Sequence, residues 1–314
     1  GLGMRVFMPL LFLTMVSIAI IRALLDSSYS GSTLLYVLFP FTLSIVIYLV
    51  FDWRRETQGS GYARHVRLAT AVFFSTSIVL MEGFICVLMF MPIYFLLITL
   101  GYICVHLMTR DRENKIGAFA IPLMVLLLVS EGLTDTTSIE RNETATYETV
   151  VAYEIDTLKQ NMAKPILFAQ DRPWFLRLFP LPDRVKAGSI GEGDLHNLHF
   201  TYNKWVWGNA HTGQMNVVIS EVSERRVRTK VISDTSYLSN YMKIIGTEVN
   251  FEPLGPGVTK LSLTVKYERL LDPYWYFGPL QKLAASHRAR FLVESIIARQ
   301  PPRSMSAEQR SAQR

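Results

Sequence analysis

Cysteine is nearly missing from this chain of 314 residues: there are two, Cys86 and Cys104, and both lie inside apolar runs. That excludes a disulfide framework and a cysteine-based metal site. Charge is scarce in the same region. Residues 1–130 hold 9 Lys+Arg and 6 Asp+Glu, whereas residues 131–314 hold 23 and 20. Each part nets +3, so the overall +6 is spread too evenly for a nucleic-acid surface. No HExxH metal motif, GxSxG nucleophile elbow or phosphate loop is present. Gly191-Glu-Gly193 lacks the strand, glycine loop and helix order of a phosphate cradle and reads as a hairpin turn. The only histidine cluster is His196, His199 and His211; His196 and His199, three apart on a strand, point to opposite faces. A metal site is not expected there, and no cofactor is expected anywhere.

What is present is apolar sequence. Half of the residues are hydrophobic, and the step in charge density divides the chain in two. Residues 4–131 read as a transmembrane region, 132–142 as a linker, 143–299 as a second folded domain and 300–314 as a disordered polar tail. The chain does not begin with Met, so Met4 is the expected start and Gly1–Gly3 are set aside. Apolar runs cover Val6–Ile21, Thr33–Phe51, Leu68–Met108 and Ile116–Ser130. The third is 41 residues, about 60 Å as helix and roughly twice a hydrocarbon core. It has to fold back, at Glu82-Gly83 or near Met91-Pro92, which makes about five spans.

Arg54, Arg55, Arg64 and Arg67 occupy one loop and Arg110, Arg112 and Lys115 another, while Asp26–Ser32 carries no base. Basic loops stay inside. The expectation is an integral protein of the plasma or inner membrane with a cytoplasmic N-terminus and the second domain on the outer side. Glu82 and Glu131 each end an apolar run in Glu-Gly. A carboxylate in or at the end of a span is a candidate functional group; the alternatives are a helix-turn cap for Glu82 and a headgroup-layer position for Glu131.

After residue 140 the hydrophobic period changes to two. Thr144–Ile155 sets Tyr147, Val151, Tyr153 and Ile155 on one strand face. Asp156 and Thr157 offer N-cap oxygens for a helix over about Leu158–Ala169, and the proline-bounded Pro173–Pro182 reads as a second short helix. Six strand-like segments follow: Arg184–Ser189, Asp194–Tyr202, Gly213–Val222, Arg225–Ser233, Lys243–Glu252 and Val258–Leu270. In the last, Leu261, Leu263, Val265 and Tyr267 face inward. Pro279–Arg299 then reads as a long helix, opened by Pro279 and stopped by Pro301-Pro302. Its apolar residues make two stripes. One holds Leu280, Leu283, Ala284, Phe291 and Ala298, the other Ala285, Ala289, Leu292, Val293 and Ile296.

This order of one strand, two short helices, about six antiparallel strands and a long closing helix is the helix-grip arrangement. The residues resemble the START / Bet v 1-like (SRPBCC) superfamily, in particular its polyketide cyclase/dehydrase-like members. The resemblance is carried by Trp174 with Pro180 and Pro182, by Gly188-Ser-Ile-Gly191-Glu-Gly193, by the Glu252-Pro-Leu-Gly-Pro-Gly257-Val-Thr259 turn with its strand to Tyr267, and by the helix after Pro279. It covers about residues 143–298. It implies a curved sheet wrapped on the long helix around an apolar tunnel for lipids, sterols, polyketides or other hydrophobic molecules. The expected fold class is therefore multi-domain: an N-terminal α-helical transmembrane bundle plus a C-terminal α+β helix-grip domain.

The residues that would line such a cavity are Tyr202, Trp205 and Trp207 on one strand, Tyr267, the Tyr274-Trp275-Tyr-Phe277 cluster, and Phe291. Each aromatic has an ordinary packing role as its alternative, or an interfacial one for the tryptophans. His287 and Glu294, at the edge of the first helical stripe, would supply the few polar contacts such a pocket needs. Seven residues apart, they are separated by about 10 Å along the axis and do not pair. The leading expectation is a membrane-anchored binding or transfer module with membrane lipids and a hydrophobic small molecule as partners. The alternatives are a cyclase/dehydrase-like enzyme and a structural subunit docking a membrane-protein partner.

Overall fold

The computed structural model describes residues 33–52, 61–79, 84–110, 115–132, 136–164, 166–167, 181–205 and 208–297. The first apolar run, Glu82, the Trp174–Pro180 segment, Trp207 and the tail lie outside the described residues. The chain divides into two compact units: residues 1–141, 204–208 and 270–279 in one, residues 142–203, 209–269 and 280–314 in the other.

The first unit is helical. Helix α1, Phe39–Ile47, is continued by wider π-type turns at Leu34–Leu38 and Tyr48–Asp52. Helices α2 (Gly61–Val79), α3 (Phe84–Arg110) and α4 (Lys115–Val129) follow. The long run therefore does not break at Met91-Pro92: α3 passes straight through Pro92. A proline inside an apolar helix is tolerated when the loosened turn finds other partners, and here the Tyr276 hydroxyl donates to the neighbouring Met89 carbonyl. Helices α1 and α3 cross closely at Gly101, where a Cβ would lie 2.6 Å from the Ser44 Cβ. Small residues at such a crossing let backbones approach.

Two helical stretches among the described residues, Leu34–Phe51 and Cys86–Thr109, are long and apolar enough to cross a membrane, and Phe119–Val129 is apolar but shorter. The expected count of about five spans is thus not reached among the described residues. Helix α2 carries Arg64, His65 and Arg67 in its first turns, and α4 has only 15 residues.

The second unit is an antiparallel sheet closed by a helix. Its strands are β1 (Asn142–Val151), β2 (Ile166–Leu167), β3 (Pro182–Lys186), β4 (Leu195–Trp205), β5 (Gly208–Val222), β6 (Arg226–Asp234), β7 (Met242–Gly255) and β8 (Val258–Arg269). Helix α5, Ile155–Ala163, lies between β1 and β2, earlier and shorter than the expected 158–169. The sheet order is β1-β8-β7-β6-β5-β4-β3-β2, so β1 and β2 form opposite edges of one curled sheet. With the C-terminal helix packed on it, this is the helix-grip fold.

That helix, α6, runs Tyr274–Ile297. It begins five residues before Pro279, because the Pro273 carbonyl accepts from Tyr276 and Phe277 N–H and a distant carboxylate, Glu131, caps Tyr274. The Tyr274–Phe277 cluster is thus its first turn, not its approach. The second apolar stripe is the one buried: Ala285, Ala289, Val293 and Ile296 are at most 5% exposed. They join Phe200, Met215, Ile219, Val249, Phe251 and the inward row of β8, Leu261, Leu263, Val265 and Tyr267, in one core. Each fully buried Val, Leu or Ile there contributes roughly 1.5–3 kcal/mol. Leu283 of the other stripe is 57% exposed.

Candidate functional site

The inward stripe of α6 is not wholly apolar. Between Ala285 and Ala289 it carries Arg288, and two turns earlier Gln281, both buried. The Arg288 guanidinium lies 5.6 Å from the centre of the Phe200 ring, and its Nη2 is 3.8 Å from Met215 Sδ. Arg288 Nη1 is buried with no hydrogen-bond partner. Met215 on β5 pairs with Asp234 on β6, so the two side chains share a sheet face. Asp234 Oδ1 accepts from the Ser236 N–H at 2.8 Å, while Asp234 Oδ2 and Ser236 Oγ are buried without partners. Burial pulls the Arg288 guanidinium down to about 10, and the nearby Asp234 charge offsets only part of that. Arg288 is still a cation at neutral pH.

An aromatic group adjoins this polar end. Tyr202 on β4 stacks on Tyr237 with centroids 4.8 Å apart, and the Tyr237 and Tyr241 hydroxyls are 2.9 Å apart. Gln281 Nε2 donates to the Tyr241 carbonyl at 2.7 Å, tying α6 to the turn Tyr237–Asn240. That turn is set by Gly213, where a Cβ would lie 2.3 Å from the Thr235 carbonyl oxygen. Only glycine lets β5 pass so close to the segment carrying Ser236.

Of the residues singled out in the sequence, Tyr202 and Tyr267 are buried in the grip. The Tyr267 hydroxyl donates to Glu143 Oε2 at 3.0 Å. Phe291 is half-buried, and His287 and Glu294 are exposed. Glu294 pairs with Arg290 at 2.7 Å, one turn back along the helix. Trp205 lies at the end of β4, with its side chain outside the described residues. Tyr274 and Trp275 belong to the helical unit and are 37% and 42% exposed. Glu131 is a helix cap, with Oε1 2.7 Å from the Tyr274 nitrogen.

Arg288, one residue from His287, does not stand out in the sequence. The available signal was helical phase. Positions 281, 285, 288, 289, 292, 293 and 296 form one face, and a polar residue in that stripe stands out only once the stripe is known to be the buried one.

On the outer face of the sheet, His199, Thr212, Gln214, Asn216, Ser233 and Thr235 line an open cleft of about 270 Å³. Its side chains bond one another: Gln214 to His199 at 3.0 Å and Asn216 to Ser233 at 2.9 Å. His196 and His211 meet the carbonyls of Ser189 and Thr235.

The helical unit holds a buried polar pair of its own. Ser44 Oγ lies 2.6 Å from the Ile98 carbonyl and 2.8 Å from His65 Nε2, and neither residue is exposed. A carbonyl can only accept, so the single hydroxyl proton goes to Ile98 and His65 Nε2–H donates to Ser44. This polarity is the reverse of an activated nucleophile.

No protein-family model and no curated protein sequence matches this chain. Solved structures similar to it include a START superfamily protein from Mycobacterium smegmatis, at 15% identity and a TM-score of 0.33, covering 50% of this chain and 95% of that one. Norcoclaurine synthase from Thalictrum flavum matches at 13% identity and 0.32, covering 49% and 84%. Zhui aromatase/cyclase from Streptomyces sp. R1128 matches at 16% and 0.28, covering 50% and 87%. The fold assignment rests on the strand order and the closing helix.

Proposed function

We propose that this protein is a membrane-anchored module that holds a hydrophobic small molecule or lipid between the curled sheet and α6. The observation that carries the reading is the inward stripe of α6. Before the larger Val293 and Ile296, it places Ala285, Ala289 and a buried cation opposite the sheet, where a helix with only a packing role would carry large apolar side chains throughout. The small side chains give α6 little bulk toward the sheet there, the apolar sheet face supplies burial at about 25 cal/mol per Å², and a few fixed polar groups select. A guanidinium is a poor proton donor or acceptor, which favours binding over acid–base catalysis of the cyclase kind.

Membrane anchoring is supported by the surface of the helical unit. Leu88, Leu96, Ile103, Leu123 and Leu127 are 40–67% exposed, and only 33% of the most apolar window of α3 is buried. Apolar surface of this extent suits a bilayer better than water. In this reading the basic loops face the cytoplasm and the grip domain lies on the outer side.

The test is native mass spectrometry of the full-length protein in detergent, followed by solvent extraction. One hydrophobic molecule per chain should survive detergent exchange in the wild type and be lost from Ala289→Met, which adds bulk beside Arg288 on the inward face of α6. A wild-type protein that retains nothing and takes up nothing from mixed liposomes would overturn the binding reading.

A further inference from the structure

Resting on that reading, we infer that the molecule held in the grip is an amphipathic carboxylic acid whose carboxylate is read by Arg288. The guanidinium lies against two apolar side chains, with the centre of the Phe200 ring at 5.6 Å and Met215 Sδ at 3.8 Å. These contacts orient it and satisfy none of its N–H donors well. Nη1, on the edge that a planar two-oxygen acceptor would engage, is buried without a partner. A buried cation left this way is costly unless an anion with matching geometry meets it. A carboxylate fits the planar fork with two parallel hydrogen bonds, which a point-charge acceptor does not.

The remaining groups agree with an acid of this shape. Asp234, the carboxylate whose charge Arg288 feels, is engaged at Oδ1 by the Ser236 N–H. It does not close the fork, because Nη1 stays unbonded. The Ser236 hydroxyl is 1% exposed and unbonded, and offers a neutral donor at the same end of the grip. The rest of the inward surface is apolar, with Val249, Leu261, Leu263 and Val265 beside the Phe251 and Tyr267 rings, which suits a hydrocarbon chain. The Arg288 head and the apolar row towards Val293 and Ile296 lie in sequence along one helix face, so a ligand would run along α6 with its acid end at Arg288.

The experiment uses delipidated full-length protein in detergent and measures binding of cis-parinaric acid and of its methyl ester by fluorescence. The expected result is saturable binding of the acid, at least 10-fold tighter than the ester, with Arg288→Met reducing the acid to the affinity of the ester. Far-UV circular dichroism and thermal unfolding check that the variant is folded. Should it not fold, the wild-type contrast between acid and ester decides alone. Equal wild-type affinities overturn the carboxylate inference and leave the hydrophobic-carrier reading standing. Binding of neither probe overturns both. Displacement of bound acid by oleoyl lysophosphatidate but not by oleate overturns the choice of carboxylate over phosphate.

Discussion

The carboxylate of Glu131 accepts a hydrogen bond from the backbone N–H of Tyr274, 2.7 Å away and 143 residues later in the chain. Tyr274 is the first residue of α6, and the first N–H groups of any helix have no partner within it. A negative oxygen there satisfies one donor and sits at the positive end of the helix dipole. The neighbouring Arg141–Asp272 pair, at 2.6 Å, holds the same corner, as does Gly132, which has a positive φ of 74° and where a Cβ would lie 3.2 Å from Asp272 Oδ2.

Removing this cap should loosen the first turn of α6. Glu131→Ala is expected to cost about 1 kcal/mol of local stability, read as faster amide hydrogen exchange at Tyr274–Phe277. Glu131→Gln, which keeps an acceptor oxygen, should lose less. Unchanged exchange in Glu131→Ala would show that Pro273 alone starts the helix.

Gly213 should tolerate no side chain. A Cβ there meets the Thr235 carbonyl oxygen at 2.3 Å and the Ser236 Cα at 2.7 Å, both backbone atoms that cannot swing aside. Gly213→Ala is expected to destabilise the grip by about 1–3 kcal/mol, seen as a lower Tm for the grip transition. Because Ser236 moves with the Thr235 backbone, ligand affinity should fall as well. Gly188→Ala, with nothing within 4 Å of its Cβ, is the matched control.

Ser44 and His65 make a different prediction. Because the Ser44 hydroxyl donates to the Ile98 carbonyl, His65 Nε2–H is the donor to Ser44 Oγ, and Ser44→Ala removes the acceptor of that bond. That should cost about 1–3 kcal/mol and lower the thermal stability of the full-length protein. Ser44→Cys, which can still accept weakly, should fall between. Ligand binding in the grip should not change in either variant, because these residues belong to the helical unit.

The grip was legible in the sequence wherever the pattern is local. The alternation of β8 alone places Leu261, Leu263, Val265 and Tyr267 on the inner face, and the stripe through Ala285, Ala289, Val293 and Ile296 is one of two that α6 offers. Choosing between the stripes needed the sheet, and with the sheet came Arg288. The start of α6 was not legible because its cap is Glu131, a contact that no local rule reaches. Pro92 looked like a break because proline disrupts helices in water, and α3 carries it within an apolar run whose neighbouring carbonyl finds Tyr276. His287 and Glu294 were attractive as polar residues beside an apolar stripe, but both are exposed and Glu294 pairs with Arg290.

Acid should weaken the grip through its outer sheet face before it affects the interior. Glu248 accepts from Lys266 at 3.0 Å and Arg228 at 3.1 Å, and Glu221 holds Arg226 and Arg228. Bonds from Lys266 and then Arg228 hold the Glu248 carboxyl below its ordinary 4.5, and bonding from Arg226 does the same for Glu221. Ser189 and the Gly191 N–H likewise lower Asp194, clamping the Gly191–Gly193 turn. The sign follows from linkage. A carboxylate whose folded value is depressed contributes stability that is complete above its unfolded value and is lost as pH falls through the folded one. The unfolding midpoint in urea should therefore be flat from neutral pH down to about 4.5, the ordinary glutamate value, and should drop below it. In Glu248→Gln that acid-dependent drop should shrink while the neutral-pH midpoint falls. These pairs are exposed enough that salt should blunt the neutral-pH effect. A midpoint that instead begins to fall near pH 6.5 would place the controlling group among the histidines, and the outer-face carboxylates would not be what acid acts on.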